Sequence, residues 1–461
     1  MRPDVFREYD IRGIVGTQLY IQDVRAFGRV CAAYFIHVDP AIKAIIIGRD
    51  GREHSYALFQ ELVLGLQEGG LHVVDIGVCH TPLVSYMLHA HAQEYHAGIM
   101  ITASHNGPAY NGFKLYKRTQ ALFGNQVRDL AHRWVRDAGR AAIPMNLINS
   151  DVRDCSDEYA AVLAHKFMRL QGFAGNIIFD CGGGAVTATL TKVIERLHLK
   201  NIKILHERLD PLFTERGPDP TKPGALSRLI EAINNSGQHH SFGIAFDGDG
   251  DRVVVVTESG RVLSGDQLLG ILARGARTIP DNIVAEVTAS DALEKFVQVQ
   301  GTSVIWAPTG VARVKHSMHS VHAHIGGEVS GHYILTDEYY DYDDALYTAL
   351  RIIELRDRLQ LSLDDLISEW PARVSSGTLR LGCEQKIREE IIAAVHHAVA
   401  THSDVKINTV DGIRAQWDYG WCVVRPSNTE PVLSVRYEGH TAQDAAAIAR
   451  LLRAAGVPLM G

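Results

Sequence analysis

The segment "FDGDGDRVVVV", residues 246–256, places Asp247, Asp249 and Asp251 at every second position with glycines between them. Glycine lets a backbone fold so that all three carboxylates face one point, and three like charges converging are costly unless a cation neutralises them. Hard oxygen donors with nothing softer among them point to Mg²⁺ or another hard divalent ion. Arg252 adds a fixed positive charge suited to a phosphate. A calcium EF-hand shares the D-x-D-x-D spacing, and Glu258 even falls at its twelfth position. Yet its sixth position here is Arg252 instead of glycine, and the flanks read as strands where an EF-hand needs helices, which excludes it.

Four further stretches carry candidate chemistry. In "GIMITASHNGPAYNGFKLY", residues 98–116, a short apolar strand stops at Thr102, Ala103, Ser104, His105 and Asn106. Ser104 and Asn106 either cap a turn, or Ser104 is a nucleophile held on a strand-end loop. In "GGEVSGH", residues 326–332, Glu328, Ser330 and His332 alternate and so share one face of an extended segment. Such a face suits polyol hydroxyls, and the same string also suits a polar turn. In "RPSNTEP", residues 425–431, Arg425, Ser427, Asn428 and Thr429 offer a guanidinium fork and a row of donors. That is either a phosphate cradle or a Pro-rich turn capping the next strand. Near the N-terminus, "FREYDIRGIVG" gathers Arg7, Tyr9 and Arg12 before Gly13, as surface charge or as a binding segment.

The elements that must position these loops alternate in kind. Strands are expected at 44–48, 72–77, 98–101, 176–180, 202–207, 243–246, 253–257 and 433–438. Amphipathic helices are expected around Val127, Leu130, Ala131, Trp134 and Val135, around Leu346, Ala349, Leu350 and Ile353, around Ile387, Ile391 and Val395, and over 441–455. Alternation of this type predicts α/β layers. Linker-like stretches at 141–151, 257–266 and 369–377 divide the chain into units spanning 1–150, 151–256, 257–372 and a smaller 373–461. Each of the first three carries one polar, glycine-containing loop, a repeat in kind without repeated sequence.

The chain's 461 residues call for several domains, and its 46% hydrophobic and 21% charged content is ordinary for globular proteins. With a net charge of −7 and no basic stripe, nucleic acid and anionic membranes are not expected partners. Six scattered cysteines without a CxxC pair argue against a zinc or redox site and suit a reducing compartment. The start lacks the apolar core of a signal peptide and no run approaches a membrane span, so a soluble cytoplasmic protein is expected.

Taken in order, "YDIRG", "TASHN", "DGDGDR", "GEVSGH" and "RPSNTEP" closely resemble the motifs of the α-D-phosphohexomutase family, and within it the bacterial phosphomannomutase/phosphoglucomutase branch. The resemblance runs the length of the chain. It implies four domains around a central cleft, three similar α/β domains and a smaller α+β C-terminal one. It implies that Ser104 is the phosphoserine, and that Asp247, Asp249, Asp251 and a phosphoryl oxygen on Ser104 hold one Mg²⁺ per chain. Arg12, His105, Lys114 and His332 would surround the reacting hydroxyl, with Arg252 among the catalytic groups. Glu328 and Ser330 would hold sugar hydroxyls, Tyr9 would lie near the substrate, and Arg425, Ser427, Asn428 and Thr429 would grip the non-reacting phosphate. The implied reaction interconverts hexose 1-phosphates and 6-phosphates of mannose or glucose, with a hexose 1,6-bisphosphate as activator and intermediate, in a monomer or weak homo-oligomer.

Three positions depart from the branch's pattern. Thr288 in "AEVTAS" stands where a lysine is common, Val311 in "PTGVAR" where a histidine is common, and "SHNGP" replaces the commoner "SHNPP". The first two bear on sugar and phosphate contacts. Phosphoglucosamine mutase is the nearest alternative, but its usual glutamine and glycine are replaced by Val329 and Asn428. A sugar-phosphate phosphatase and a non-catalytic sugar-phosphate-binding homologue complete the alternatives. Retention of Ser104 and all three aspartates speaks against the last, because a pure binder needs neither.

Overall fold

Ile45, Ile46 and Ile47 have no exposed surface, as a central strand covered on both faces requires. They belong to strand Ala44–Arg49, which runs parallel to both His72–Val78 and Ala97–Ile101. Tyr110–Lys117 then returns antiparallel beside Ala97–Ile101. The computed structural model describes residues 1–139, 150–237, 241–427 and 431–459.

Those four strands, numbered in chain order, lie 2-1-3-4 in their sheet. The second sheet repeats the order with Ile202–Leu205, Ile177–Asp180, Phe242–Phe246 and Val253–Val256. So does the third, with Ser303–Ala307, Asn282–Glu286, Ile325–Gly327 and Tyr333–Leu335. In all three the first three strands are parallel and the fourth is antiparallel. The repeat expected from three polar loops is thus a repeat of topology. Each of those loops joins the third strand to the fourth. The fourth sheet is antiparallel, and its hairpin of Gly420–Pro426 and Val432–Gly439 brackets the "RPSNTEP" segment.

Several local expectations shift by a residue or two. The strand expected at 202–207 ends at Leu205, because His206 turns into the left-handed region at φ 49°. Helix Asn125–Asp137 buries Val127, Leu130 and Trp134 but leaves Val135 70% exposed, one residue past the apolar stripe. Helix Gln385–Ala400 likewise buries Ile391 and Val395 and exposes Ile387. The linker expected at 141–151 falls mostly outside the described residues; its last residue, Asp151, begins a short strand with Val152 that pairs with His72–Val78.

By backbone packing, residues 1–263 and 338–364 form one unit, and 264–337 with 365–461 form another. In the first, helix Ala345–Leu359 packs on strand Val253–Val256. Glu258, the residue an EF-hand would use as its last ligand, instead pairs with Arg356 at 2.8 Å and accepts from the Leu363 amide at 2.9 Å. Among the described residues no helix is long and apolar enough to cross a membrane.

Candidate active site

Parallel pairing sets Arg49 opposite Ile101, so the loops that follow these two strands leave the sheet at the same edge. Ligand sites of parallel α/β sheets form at this carboxyl edge. Ser104 lies on the second loop, 2% exposed, with a left-handed φ of 51°. A non-glycine residue holds such a backbone only where its surroundings impose it, at a cost of roughly 1–3 kcal/mol. The surroundings here are the first loop. Arg52, whose side chain is fully buried, donates from Nη2 to the carbonyls of Ser104 (2.6 Å) and Asn106 (2.7 Å). Its Nη1 donates to the carbonyls of Gly107 (2.9 Å) and Tyr110 (3.2 Å). Asp50 fixes Arg52 through Nε at 2.9 Å and also accepts from the Thr102 hydroxyl at 2.7 Å.

So positioned, Ser104 donates its hydroxyl to Asp247 Oδ2 at 3.1 Å. A hydroxyl has one proton, so His105 Nδ1, 3.0 Å away, supplies the other bond by donating to Ser104 Oγ. Asp247, Asp249 and Asp251 occupy the six-residue turn between the antiparallel strands Phe242–Phe246 and Val253–Val256. One carboxylate oxygen from each lies within 4.8 Å of the others. Gly248 is required in this turn by close approach: a Cβ there would sit 2.8 Å from the Ser104 carbonyl oxygen. Lys114, on the fourth strand opposite Met100, salt-bridges Asp249 at 2.8 Å and also Asp251. Thr81 donates its hydroxyl to Asp249 Oδ2 at 2.5 Å and its amide to the Asp249 carbonyl at 2.8 Å. Arg252 Nε lies 3.8 Å from Asp247 Oδ2. Arg12 joins the group through Asn106 Oδ1 at 2.6 Å, and Tyr9 is partly exposed in the bend before strand Ile11–Ile14.

The electrostatics favour a cation at this hairpin. Burial, then the charges of Asp251 and Asp249, drive the Asp247 carboxyl well above the usual range, against the pull of Arg252 and Lys114. Burial opposes the Lys114 ammonium, but Asp249 and Asp251 outweigh it and hold its pKa well above the ordinary lysine value. Among the described residues, buried Asp249 Oδ1 has no hydrogen-bond partner. Three converging carboxylates, one with an orphaned oxygen, are the donor set of a hard divalent ion. The residues present therefore fit such an ion.

In the second unit, Glu328, Ser330 and His332 meet through a tight turn and not through the alternation of an extended segment: the Gly331 amide donates to the Glu328 carbonyl at 3.1 Å, with Gly331 at φ 98°, between strands Ile325–Gly327 and Tyr333–Leu335. Glu328 Oε2 is 2.9 Å from His332 Nδ1 and 3.4 Å from the Ser330 hydroxyl, while its Oε1 accepts from the Gly310 amide at 2.6 Å. Glu286, which the sequence did not single out, accepts from the Val329 amide at 2.8 Å. Burial and the nearby Glu328 charge push the Glu286 carboxyl up to about 7. Arg425 is buried at the end of strand Gly420–Pro426, with Nε on Asp411 Oδ2 at 2.8 Å. Ser427 donates its amide to the Val432 carbonyl at 3.0 Å. Asn428 and Thr429 lie outside the described residues. Thr288 is buried, its carbonyl accepting from Arg436 at 2.9 Å, and Val311 opens helix Val311–Ser320.

A buried serine aimed at a three-carboxylate turn, beside a lysine and two arginines, defines a metal-assisted phosphoryl-transfer enzyme. Family models extend this along the chain: phosphoglucomutase/phosphomannomutase α/β/α domain I matches residues 3–133, domain II 157–260, domain III 264–374 and the C-terminal domain 383–455. The chain belongs to the phosphoglucomutase/phosphomannomutase family of the α-D-phosphohexomutases, isomerases that work by phosphoryl transfer. It is 31% identical over 445 residues to a Pseudomonas putida phosphomannomutase/phosphoglucomutase, covering 95% of this chain and 92% of the relative. It is also 31% identical to a Methanocella arvoryzae protein named "Probable phosphoglucosamine mutase", over 94% of this chain and 93% of that one. A solved phosphoglucomutase/phosphomannomutase family protein from Burkholderia thailandensis superposes with a TM-score of 0.87 at 27% identity, covering 100% of this chain and 99% of that one.

Arg52, Asp50 and Thr81 had no chemical signature in sequence. The only signal for the first two was a polar "RDGRE" run directly after a buried strand, the same placement as the Ser104 loop. Arg52→Ala is expected to lower kcat about 10²-fold with little change in KM, because small misplacement of a reacting group has that cost. Steady-state kinetics check this, and a change confined to KM would contradict it.

Proposed function

We propose that this chain is a phosphomannomutase/phosphoglucomutase. It would interconvert hexose 1-phosphate and hexose 6-phosphate, of mannose, glucose or both, through phosphorylated Ser104 and a hexose 1,6-bisphosphate. The observation that carries the reading is the Ser104 hydroxyl lying 3.1 Å from Asp247 at the mouth of the carboxylate turn.

In the first transfer the P–Oγ bond to Ser104 breaks as a new P–O bond forms to the free sugar hydroxyl. The hydroxyl proton passes to a base, and the serine oxygen leaves with the electron pair of the broken bond. Mg²⁺, held by Asp247, Asp249 and Asp251 with a phosphoryl oxygen, would offset the charge on the transferring group. Arg12 and Arg252 stay charged throughout and so serve phosphoryl oxygens, as does the Lys114 ammonium, which Asp249 and Asp251 hold charged, leaving the proton to His105 or His332. The bisphosphate then turns around and returns its other phosphoryl to Ser104. Both poses need the same grips: Glu328 and Ser330 on the 3- and 4-hydroxyls, and Arg425, Ser427, Asn428 and Thr429 on the non-reacting phosphate, with Tyr9 near the sugar. The enzyme would work in the cytoplasm on small hexose phosphates, as a monomer or weak homo-oligomer.

Phosphorus NMR with mannose 1-phosphate or glucose 1-phosphate, Mg²⁺ and a trace of bisphosphate tests the reading. A growing 6-phosphate resonance is expected. Inorganic phosphate alone would make the protein a phosphatase, and turnover only with glucosamine 1-phosphate would move it to the amino-sugar branch that the Methanocella relative's name describes. Arg425→Ala should weaken substrate binding about ten- to a hundred-fold, the loss of a charge-assisted two-pronged contact. Arg425→Lys should restore only part of it, because an ammonium cannot form the fork. Steady-state kinetics together with bisphosphate release measure both, and unchanged values would make the loop structural.

A further inference from the structure

Asp411 lies in the turn between strands Lys406–Asn408 and Ile413–Trp417, in a "TVDGIR" segment without catalytic signature. Its Oδ2 accepts two bonds at once, from Arg425 Nε at 2.8 Å and from the Thr309 backbone amide at 3.0 Å. Both side chains of this ion pair are nearly buried, Arg425 at 6% and Asp411 at 7% exposure. The turn cannot drift from Arg425. Gly412 has φ 73°, and a Cβ there would lie 2.3 Å from the Val424 carbonyl oxygen and 2.7 Å from Arg425 Cα. With Nε committed to Asp411, Nη2 is buried and, among the described residues, has no hydrogen-bond partner.

The second bond leads elsewhere. Thr309 adjoins Gly310, whose amide donates to Glu328 Oε1 at 2.6 Å. Glu328 in turn orients His332 through Oε2 at 2.9 Å. Two consecutive amides thus face two carboxylates, one fixing the phosphate-side arginine and the other being the sugar-side glutamate. Val311, the next residue, has no polar side chain, so this segment reaches Glu328 and Asp411 through its backbone.

We propose that Asp411 is a positioning residue that sets the distance between the phosphate grip at Arg425 and the hydroxyl grip at Glu328. This rests on the proposed hexose-phosphate reading. A substrate that must bind in two orientations presents its phosphate and its 3- and 4-hydroxyls at two nearly equivalent spans. A fixed separation between the grips selects sugars that satisfy both, whereas loose grips would let each bind at the other's expense.

The test compares glucose 1-phosphate with 3-deoxyglucose 1-phosphate in the full chain, using wild type, Asp411→Asn and Asp411→Ala. Wild type should discriminate strongly in KM between the two sugars. Either variant should raise the glucose 1-phosphate KM about ten-fold or more, as loss of a hydrogen bond to a charged group does. Either should also shrink the discrimination, because the hydroxyl can no longer be held while the phosphate is gripped. Partial unfolding lowers the active fraction but leaves a ratio of KM values unchanged, so it cannot imitate this result. Discrimination equal to wild type in both variants would overturn the role of Asp411. Absence of turnover of any hexose phosphate by wild type would instead overturn the functional reading on which it rests.

Discussion

Ser104→Ala is expected to abolish turnover, by about 10⁴- to 10⁶-fold, as removal of a covalent nucleophile does elsewhere. The effect should be chemical rather than structural. Arg52 holds the loop through carbonyl oxygens that the substitution leaves in place. The protein loses only the hydroxyl's bonds to Asp247 and His105, each worth about 1 kcal/mol. Thermal denaturation should therefore shift by only a few degrees, and substrate should still bind. Intact mass and peptide mapping supply the companion observation: a substoichiometric phosphate on Ser104 in the purified protein, absent from the variant. A fully active Ser104→Ala protein with phosphate elsewhere would contradict the assignment.

The next largest effect is expected at Asp249. Its Oδ2 takes bonds from Lys114 and Thr81, while its Oδ1 lies buried without a hydrogen-bond partner among the described residues. Asp249→Asn removes one of three converging charges and should lower turnover about 10²- to 10³-fold, the scale of losing an electrostatic contact that strengthens in the transition state. KM should change far less. Because the substitution also weakens ion binding, activity should partly return as Mg²⁺ is raised, which a titration of turnover against Mg²⁺ measures. Turnover equal to wild type at low Mg²⁺ would remove Asp249 from the metal site.

What was legible in sequence was what is contiguous. Three of the chemistry-bearing stretches are polar, glycine-containing loops between two apolar runs, and in the fold each of these three is the connection between two hairpin strands. The "DGDGD" run does bring three carboxylates together, whereas Glu328, Ser330 and His332 meet because the chain turns sharply at Gly331, which the alternation read as an extended segment did not show. What was not legible depends on residues far apart in the chain. Thr81 meets Asp249 across 168 positions, and nothing in "CHTPL" beyond a helix start announces it. Arg52 reaches the Ser104 loop across 52 positions, as one more arginine in a polar run. Asp411 reads as an ordinary Asp-Gly turn, and Glu286 as the end of a buried strand, until Arg425 and Glu328 are placed beside them. Periodicity misplaced Val135 and Ile387 because a stripe of apolar residues says which face is buried but not how wide the covered face is.

The most direct test of the central claim is a single-turnover chase of protein labelled with radioactive phosphate on Ser104, mixed with excess unlabelled glucose 1-phosphate or mannose 1-phosphate and Mg²⁺. Label is expected to leave Ser104 and to appear first in hexose 1,6-bisphosphate and then in hexose 6-phosphate. Label released only as inorganic phosphate, or retained on the protein while the sugar phosphate is isomerised, would contradict that claim.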